Sequence, residues 1–123
     1  MQFLMWALVM VESSWNPLAV SPANARGLTQ MTPIAVEQVR RETGQQMTPN
    51  LFNPEVSLKW GTTYFEWCLG QTGQIEEAIA YYNGGGRAAR QYENGSLNPE
   101  TRKYVPKVLL YYYLQLYGTA EGS

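Results

Sequence analysis

The side chain best placed for chemistry in this sequence is Glu12, a carboxylate that ends an otherwise apolar stretch. Within residues 1–12 the only other polar side chain is Gln2. At helical spacing, Glu12 falls on one stripe with four apolar residues: Met1, Leu4, Met5 and Leu8. Because an apolar setting disfavours the charged form, we expect the pKa of Glu12 to lie above the ~4.3 of free glutamate. Such a group can act as a general acid, and a salt-bridged carboxylate at a helix end is the structural alternative.

The residue types that the sequence lacks restrict its chemistry further. It contains no His and no Asp, so all 10 acidic residues are Glu. This composition excludes a Ser-His-Asp triad, a Cys-His pair and a His-based metal site. The single cysteine, Cys68, cannot form an internal disulfide, and we interpret it as a buried thiol. The sequence therefore predicts a protein with no metal and no organic cofactor.

Length and charge bound the class of protein. With 123 residues, 45% of them hydrophobic, the chain can form a substantial core, and we assign residues 1–123 to a single domain. A net charge of −1 argues against a nucleic-acid-binding protein. Residues 85–110 nevertheless carry five basic and two acidic side chains, a local charge of +3. That cluster would suit an anionic polymer, although most such clusters are simply solvated.

The first residues predict neither a signal peptide nor a membrane span. No Lys or Arg precedes the apolar residues 3–11, and Glu12 stands where a small-residue cleavage site would be needed. The apolar run is also too short to cross a bilayer. Because the chain begins at this helix, we expect either a minimal protein or a fragment of a larger one, and a monomer as an isolated domain.

Three pairs of a capping residue and a proline predict where the later helices begin. The first helix should end near Ser13, and residues 15–29, with Pro and Gly and no sustained period, should form an ordered loop. Helices then begin at the cap-proline pairs and run to about residues 42, 69 and 117. The pairs are Thr32-Pro33, Asn53-Pro54 and Asn98-Pro99.

The remaining segments predict short helices and a largely strand-free fold. Residues 75–82 and 87–92 should be helical, separated at 83–86 because each glycine there costs about 1 kcal/mol relative to alanine. The 54–69 helix should pack in the core through Val56, Trp60, Tyr64, Trp67 and Cys68. Pro106 should kink the last helix or delay its regular part, and residues 118–123 should form a frayed tail. No stretch shows strand periodicity, so the fold class is mainly α with little or no sheet.

Four blocks of sequence carry a family resemblance. In chain order they are Glu12-Ser13-Ser14-Trp15-Asn16-Pro17, Gly27-Leu28-Thr29-Gln30-Met31-Thr32-Pro33, Ala80-Tyr81-Tyr82-Asn83-Gly84-Gly85 and Glu100-Thr101-Arg102-Lys103-Tyr104-Val105. Together, from about Leu8 to Tyr113, they resemble the soluble lytic transglycosylase domain, a relative of goose-type lysozyme. The chain departs from the family at Thr32, where a methionine is frequent. The resemblance implies a lysozyme-like fold.

The resemblance also implies an activity and a set of site residues. The family cleaves the β-1,4 bond between N-acetylmuramic acid and N-acetylglucosamine in peptidoglycan, and Glu12 matches its catalytic acid and base. The residues that match its substrate cleft are Ser21, Gln30, Tyr82, Asn83, Glu100 and Tyr104. Each of these residues also has a structural alternative. Polar side chains in loops commonly hydrogen-bond to backbone groups, and tyrosines commonly pack in the core. A carboxylate near the start of a helix is favoured by the helix dipole.

A single carboxylate is sufficient for this implied reaction. Glu12 would protonate the glycosidic oxygen and then take the proton from the muramyl C6 hydroxyl, which attacks C1 to give a 1,6-anhydro product. Hydrolysis by water, as in goose-type lysozyme, and a weakly active wall-binding module are the alternatives. The implied partner is the glycan strand at the bacterial wall or periplasm. Such a domain without a signal peptide also suits a phage virion component or a secretion assembly.

Overall fold

The described residues form five α-helices and a short π-helical end. The computed structural model describes residues 1–118, apart from the side chain of Glu100. The helices are α1 (Gln2–Ser13), α2 (Pro33–Thr43), α3 (Pro54–Thr72), α4 (Ile75–Asn94) and α5 (Pro99–Tyr113), followed by the π-helical segment Leu114–Gly118. Within residues 1–118 the β pairing consists of the isolated bridges Val20–Arg26 and Arg26–Met31. The predicted mainly α class is confirmed.

The predicted helix starts are confirmed at all three cap-proline pairs. Each capping side chain accepts a hydrogen bond from a backbone amide of the first helical turn: Thr32 from Ala35 at 3.2 Å, Asn53 from Glu55 at 3.0 Å and Asn98 from Thr101 at 2.9 Å. Proline follows each cap at the first helical position, where its missing N–H costs no hydrogen bond. Local chemistry thus determines where α2, α3 and α5 begin.

Helix ends differ from the prediction at glycines and a proline that interrupt the helices less than expected. The break expected from residue 70 is wrong, since α3 continues to Thr72 and ends before Gly73, whose φ is 75°. The break expected at 83–86 is a single non-helical residue, Gly85, with φ 83° and ψ −174° inside α4. The regular part of α5 is not delayed, because the helix runs from Pro99 through Pro106. Of the expected tail, Gly118 is π-helical, and residues 119–123 lie outside the described part.

The chain divides into two compact units, and Leu8–Tyr64 is one of them. This unit contains the second half of α1, the loop that follows it, α2 and most of α3. Its fully or nearly fully buried side chains include Leu8, Val9, Leu28, Met31 and Val39. The unit therefore has an apolar interior of its own beneath the loop that carries two of the predicted site residues.

The other unit consists of residues 1–7 and 65–118 of the described part. Phe65, Cys68, Ile79, Val105 and Val108 are fully or nearly fully buried in it. In this unit α4 and α5 pack against each other. The expected burial of Cys68 is confirmed. No helix within residues 1–118 has the length and apolar character needed to cross a bilayer.

The core stripe predicted for α3 is correct in part. Trp60 and Tyr64 are buried, as expected, whereas Val56 and Trp67 are only half-buried. The Trp67 ring meets the Tyr81 ring edge-on at a centroid distance of 5.3 Å, so it packs on a neighbouring aromatic rather than in the deep interior. Phe65, which the stripe omitted, is fully buried.

Candidate active site

Glu12 lies in the last turn of α1. The next residue, Ser13, hydrogen-bonds to the loop that follows this helix. Glu12 is half-buried, and the preceding Leu8 and Val9 are fully buried. The Ser13 hydroxyl donates to the Leu28 carbonyl at 2.8 Å and lies 3.2 Å from the Val9 carbonyl. The position of the Glu12 backbone is therefore coupled to the loop that resembles the family's glycine-leucine block. The sequence alone does not reveal this role of Ser13, because its partner Leu28 lies 15 residues away.

The loop over residues 14–32 requires unusual backbone angles. Two consecutive residues, Ser14 and Trp15, have φ values of 51° and 63°, which turn the chain sharply away from α1. Gly27 has φ 79°, and a Cβ built there would lie 2.0 Å from the Leu51 carbonyl oxygen. Only glycine satisfies both the angle and the close approach. The glycine of the second sequence block is thus required by packing.

A buried polar contact joins this loop to α3. The Thr29 amide donates to the Ser57 hydroxyl at 3.1 Å, and the Thr29 hydroxyl donates to the Ser57 carbonyl at 2.9 Å. Both residues are fully buried, so their hydrogen bonds avoid the cost of unsatisfied polar groups. Opposite them, Gly61 leaves room for Thr29, since a Cβ there would lie 2.5 Å from the Thr29 Cβ. We name Thr29, Ser57 and Gly61 the loop anchor.

Gln30 and Ser21 both hydrogen-bond to loop backbone. The Gln30 amide nitrogen donates to the Ala19 carbonyl at 3.1 Å and to the Gly27 carbonyl at 2.9 Å. Gln30 also has φ 51°, an uncommon value for a residue other than glycine. The Ser21 hydroxyl accepts from the Ala25 amide at 3.1 Å. Because both amide hydrogens of Gln30 point into the loop, its carbonyl oxygen is the atom left to meet a ligand.

Tyr82 and Asn83 lie on α4, immediately before its kink. Tyr82 is buried, and its ring lies 6.1 Å from the Phe65 ring, centroid to centroid. Asn83 is exposed, two residues before the non-helical Gly85. The kink thus separates a buried tyrosine and an exposed asparagine from the rest of α4. This arrangement presents the Asn83 side chain to solvent and keeps Tyr82 in the packed interior of its unit.

The last two predicted site residues lie on α5. Tyr104 is half-buried in the second turn of this helix. Glu100 follows Pro99 in the first turn, and its side chain is outside the part that the structure describes. The backbone of this turn is held by the Asn98 cap on Thr101.

The seven predicted site residues fall into two groups, one in each unit. Glu12, Ser21 and Gln30 belong to Leu8–Tyr64, and the other four belong to the unit with α4 and α5. Glu12 is in the last turn of α1, and Ser21 and Gln30 lie in the loop that follows it, so these three residues belong to one continuous segment. That the two groups line one cleft stays a prediction, as does the raised pKa of Glu12. Among the described residues, no cluster of three acidic or cysteine side chains is placed to hold a metal ion.

One tyrosine outside the predicted site has a perturbed pKa. Burial raises the pKa of the Tyr92 hydroxyl above its usual 10.0, and the negative charges of Glu76 and Glu77 raise it further. All three residues are on α4. Each effect disfavours the phenolate: the first removes water from it, and the second places it beside like charge.

Comparisons with known protein sequences find similarity over most of this chain. A sequence model of the family described as "Transglycosylase SLT domain" matches residues 1–105. The soluble lytic murein transglycosylase of Escherichia coli (strain K12) is 33% identical over 131 residues, covering 91% of this chain and 20% of the relative. The membrane-bound lytic murein transglycosylase F of Haemophilus influenzae (strain PittEE) is 33% identical over 137 residues, covering 97% of this chain and 27% of the relative. This chain therefore spans about a fifth to a quarter of the length of these relatives.

Solved structures give the same result for the fold. The 70-kDa soluble lytic transglycosylase of Escherichia coli has a TM-score of 0.81 and 29% identity over 96% of this chain and 22% of its own. An inactive variant of the lytic transglycosylase Slt from Pseudomonas aeruginosa, with one glutamate changed to glutamine, has a TM-score of 0.82 and 26% identity over 94% and 22%. The complex of the 70-kDa enzyme with bulgecin A has a TM-score of 0.83 and 28% identity over 96% and 22%. The predicted lysozyme-like fold is confirmed.

Proposed function

Because the chain belongs to the transglycosylase SLT domain family, we propose that it is a lytic transglycosylase that cleaves peptidoglycan strands. The bond cleaved is the β-1,4 linkage between N-acetylmuramic acid and N-acetylglucosamine. The family match carries the proposal, since the matched residues 1–105 include Glu12 and all six proposed cleft residues. Two relatives are named murein transglycosylases, which supports the same substrate.

In the proposed mechanism Glu12 acts first as an acid and then as a base. Its protonated carboxyl donates to the glycosidic oxygen as the bond to C1 breaks. The resulting carboxylate accepts the proton of the muramyl C6 hydroxyl, whose oxygen bonds to C1 and closes a 1,6-anhydro ring. Most glycosidases need a second carboxylate. Here the nucleophile belongs to the same sugar, and intramolecular attack has an effective molarity of about 10⁵ M or more, so one carboxylate is sufficient.

Two features support Glu12 as that carboxylate. It is half-buried at the end of an apolar helix, a setting that favours the protonated form required of an acid. In addition, one structurally similar lytic transglycosylase is inactive after a single exchange of glutamate for glutamine. We propose that Glu12 has the equivalent part in this chain.

The proposed cleft residues bind the sugar around this bond. The Gln30 carbonyl oxygen would accept a hydrogen bond from a hydroxyl or acetamido N–H, since its amide hydrogens are used within the loop. Ser21 would donate its hydroxyl hydrogen, because its oxygen already accepts from Ala25. Tyr82 and Asn83, which match the family's tyrosine-asparagine block, would contact the muramyl sugar. Glu100 and Tyr104 complete this list as residues of the cleft floor.

Product analysis of digested peptidoglycan tests the proposal. Purified sacculi are incubated with the protein, and the released muropeptides are separated and weighed. A transglycosylase gives 1,6-anhydromuramyl ends, which are lighter by one water than the reducing ends that a hydrolase gives. Reducing ends would establish the goose-lysozyme-like alternative. No release by a folded protein that still pellets with sacculi would establish a wall-binding module.

We further propose that the protein acts at the bacterial cell wall or in the periplasm. This location follows from the proposed substrate. We propose delivery as a virion component or through a secretion assembly as its route to the wall. Immunodetection in purified particles or in secretion complexes tests that route.

A further inference from the structure

A polar pocket in the unit that contains α4 and α5 includes none of the seven proposed site residues. Its volume is about 420 Å³, within the range of clefts that bind small ligands. The end of α3, the turn after it and both parts of α4 contribute to its wall. We name it the α4 pocket, and its lining includes Gln71, Gln74, Glu77, Tyr81, Arg90 and Glu93.

The kink of α4 brings residues from both parts of this helix to the pocket. Glu77 and Tyr81 precede Gly85, whose φ of 83° and ψ of −174° interrupt the helix. Arg90 and Glu93 follow it. A straight α-helix would separate Glu77 from Glu93 by about 24 Å along its axis. The kink is therefore what allows one pocket to include both carboxylates.

Gly86 leaves room in the wall of the pocket. A Cβ built there would lie 3.4 Å from Cε2 of Tyr81, and 3.5 Å from both the Tyr81 hydroxyl and Nη1 of Arg90. The phenol and the guanidinium therefore converge on the same point. The Tyr81 ring is held by its edge-on contact with Trp67, at a centroid distance of 5.3 Å.

Most polar groups of the pocket are available to a ligand. Within residues 1–118, no ion pair joins Arg90 to Glu77 or Glu93, and no protein hydrogen bond engages the side chains of Gln71 and Gln74. Four of these five residues are exposed, and Glu77 is half-buried. The pocket thus offers guanidinium and amide N–H donors together with carboxylate and amide oxygen acceptors.

This combination favours a neutral sugar over a charged ligand. Two glutamates and one arginine give the lining a net charge of −1, which opposes the binding of a phosphate or a carboxylate. Sugar hydroxyls both donate and accept, so they match the donors and the acceptors at the same time. The C–H face of a pyranose ring can also pack on an aromatic ring such as that of Tyr81.

We propose that the α4 pocket binds one N-acetylhexosamine of a peptidoglycan strand, outside the pair of sugars at the cleaved bond. The inference rests on the proposed function, which identifies this strand as the polymer that the protein meets. Arg90 and the two glutamines donate to the sugar, and Glu77 and Glu93 accept from its hydroxyls. A second contact of this kind raises the affinity for a polymer, because both sites engage the same wall.

Binding of the uncharged trimer of N-acetylglucosamine, followed by NMR of the isotopically labelled protein, tests the proposal. We expect saturable shifts of the Gly86 backbone amide and of the Gln71 and Gln74 side-chain amides. Arg90→Gln should weaken this binding about tenfold, through the loss of one charge-assisted hydrogen bond. Arg41→Gln, the same exchange at an exposed position of α2, should leave it unchanged.

Two further variants test the pocket without changing Arg90. Gly86→Ala adds a methyl group at ordinary contact distance from Tyr81 and Arg90, so the fold should tolerate it while the pocket becomes smaller. We expect weaker binding of the trimer and a thermal midpoint no lower than that of wild type. Glu77→Gln should also weaken binding, whereas Glu66→Gln, at an exposed position of α3 outside the pocket, should not.

The same preparations are assayed for muropeptide release from sacculi, which distinguishes failure of the pocket from failure of the proposed function. An active wild type with no saturable shift at Gly86 would overturn the pocket as a sugar site. Shifts that persist with unchanged affinity in Arg90→Gln and Gly86→Ala would overturn it as well. An inactive wild type whose Gly86 shift is weakened by Arg90→Gln would contradict the proposed function alone and support the pocket.

Discussion

At the residue scale, Gln30 shows how one side chain is restricted to one kind of contact. Its amide donors are used by the Ala19 and Gly27 carbonyls, and its φ of 51° is held by the loop around it. The structural alternative for this residue, satisfaction of loop backbone, is therefore correct for its nitrogen. The proposed sugar contact is compatible with these hydrogen bonds only if the Gln30 carbonyl oxygen makes it.

Replacing Glu12 by Gln should abolish catalysis without unfolding the protein. Loss of a positioned proton-transfer group costs typically ~10²–10⁴-fold, and here one residue serves two transfers, so we expect the upper end or beyond. Glutamine is nearly isosteric and neutral, so the thermal midpoint should stay almost unchanged. The measurement is the rate of muropeptide release with the thermal midpoint recorded in parallel. Glu66→Gln, the same exchange at an exposed position of α3, is the matched control.

Tyr82→Phe should have a smaller effect than Glu12→Gln. It deletes one hydroxyl, proposed to contact the substrate, and leaves the proposed proton donor Glu12 in place. We expect the order of activity to be wild type, then Tyr82→Phe, then Glu12→Gln near background. If a folded Glu12→Gln retains most of its activity, the catalytic assignment is wrong, and Glu100 becomes the carboxylate to test.

Tyr92 should make the stability of the fold sensitive to alkaline pH. Its pKa is raised in the folded protein, so above about pH 10 the unfolded chain releases a proton that the folded chain retains. The stabilising contribution is therefore complete below pH 10 and is lost as the pH rises through the folded-state pKa. We expect urea unfolding to show that wild type loses stability relative to Tyr92→Phe between about pH 10 and 11, and that the difference is constant between about pH 8.5 and 10. A difference that stays constant over the whole range would contradict this account.

At the scale of elements, the loop anchor shows how a helix supports the site. α3 contributes the Ser57 hydroxyl and carbonyl and the open surface of Gly61, and the loop contributes Thr29. These contacts position the residue immediately before Gln30. A change in α3 can therefore reach the proposed sugar-binding loop through packing alone.

Two glycines of α3 should respond in opposite directions to alanine. Gly61→Ala places a methyl group 2.5 Å from the Thr29 Cβ and should destabilise the fold by about 1–3 kcal/mol through overpacking. Gly70→Ala meets nothing within 4 Å and should stabilise it by up to about 1 kcal/mol through helix propensity. Urea unfolding of both variants measures the two effects. Equal destabilisation by both would show that the loop anchor is not the reason for Gly61.

At the scale of the whole molecule, the absence of His and Asp from the sequence leads to a prediction about cofactors. Every proposed step uses Glu12 and the substrate's own hydroxyl, so activity should be unchanged by EDTA. The measurement is muropeptide release from sacculi with and without the chelator, using metal-free buffers. Complete loss in EDTA that one added metal restores would overturn the prediction.

The parts of the fold that sequence alone determined are local. Helix starts follow from a capping side chain and the φ of the next proline, and all three were predicted to the residue at Thr32, Asn53 and Asn98. Apolar stripes identified α1 and α5, and the composition excluded whole classes of catalysis. The family resemblance supplied the fold and the proposal that Glu12 is catalytic, because its motif residues are contiguous and can be recognised without coordinates.

What only the tertiary structure decided depends on contacts between distant residues. Gly70 remains helical because the buried Phe65 and Cys68 of the same helix outweigh a propensity cost of about 1 kcal/mol. Thr29 meets Ser57 across 28 positions, and the direction of the Gln30 amide follows from the loop that this contact anchors. Periodicity and capping report on neighbours within a turn or two, whereas these contacts form only when loop and helix pack together.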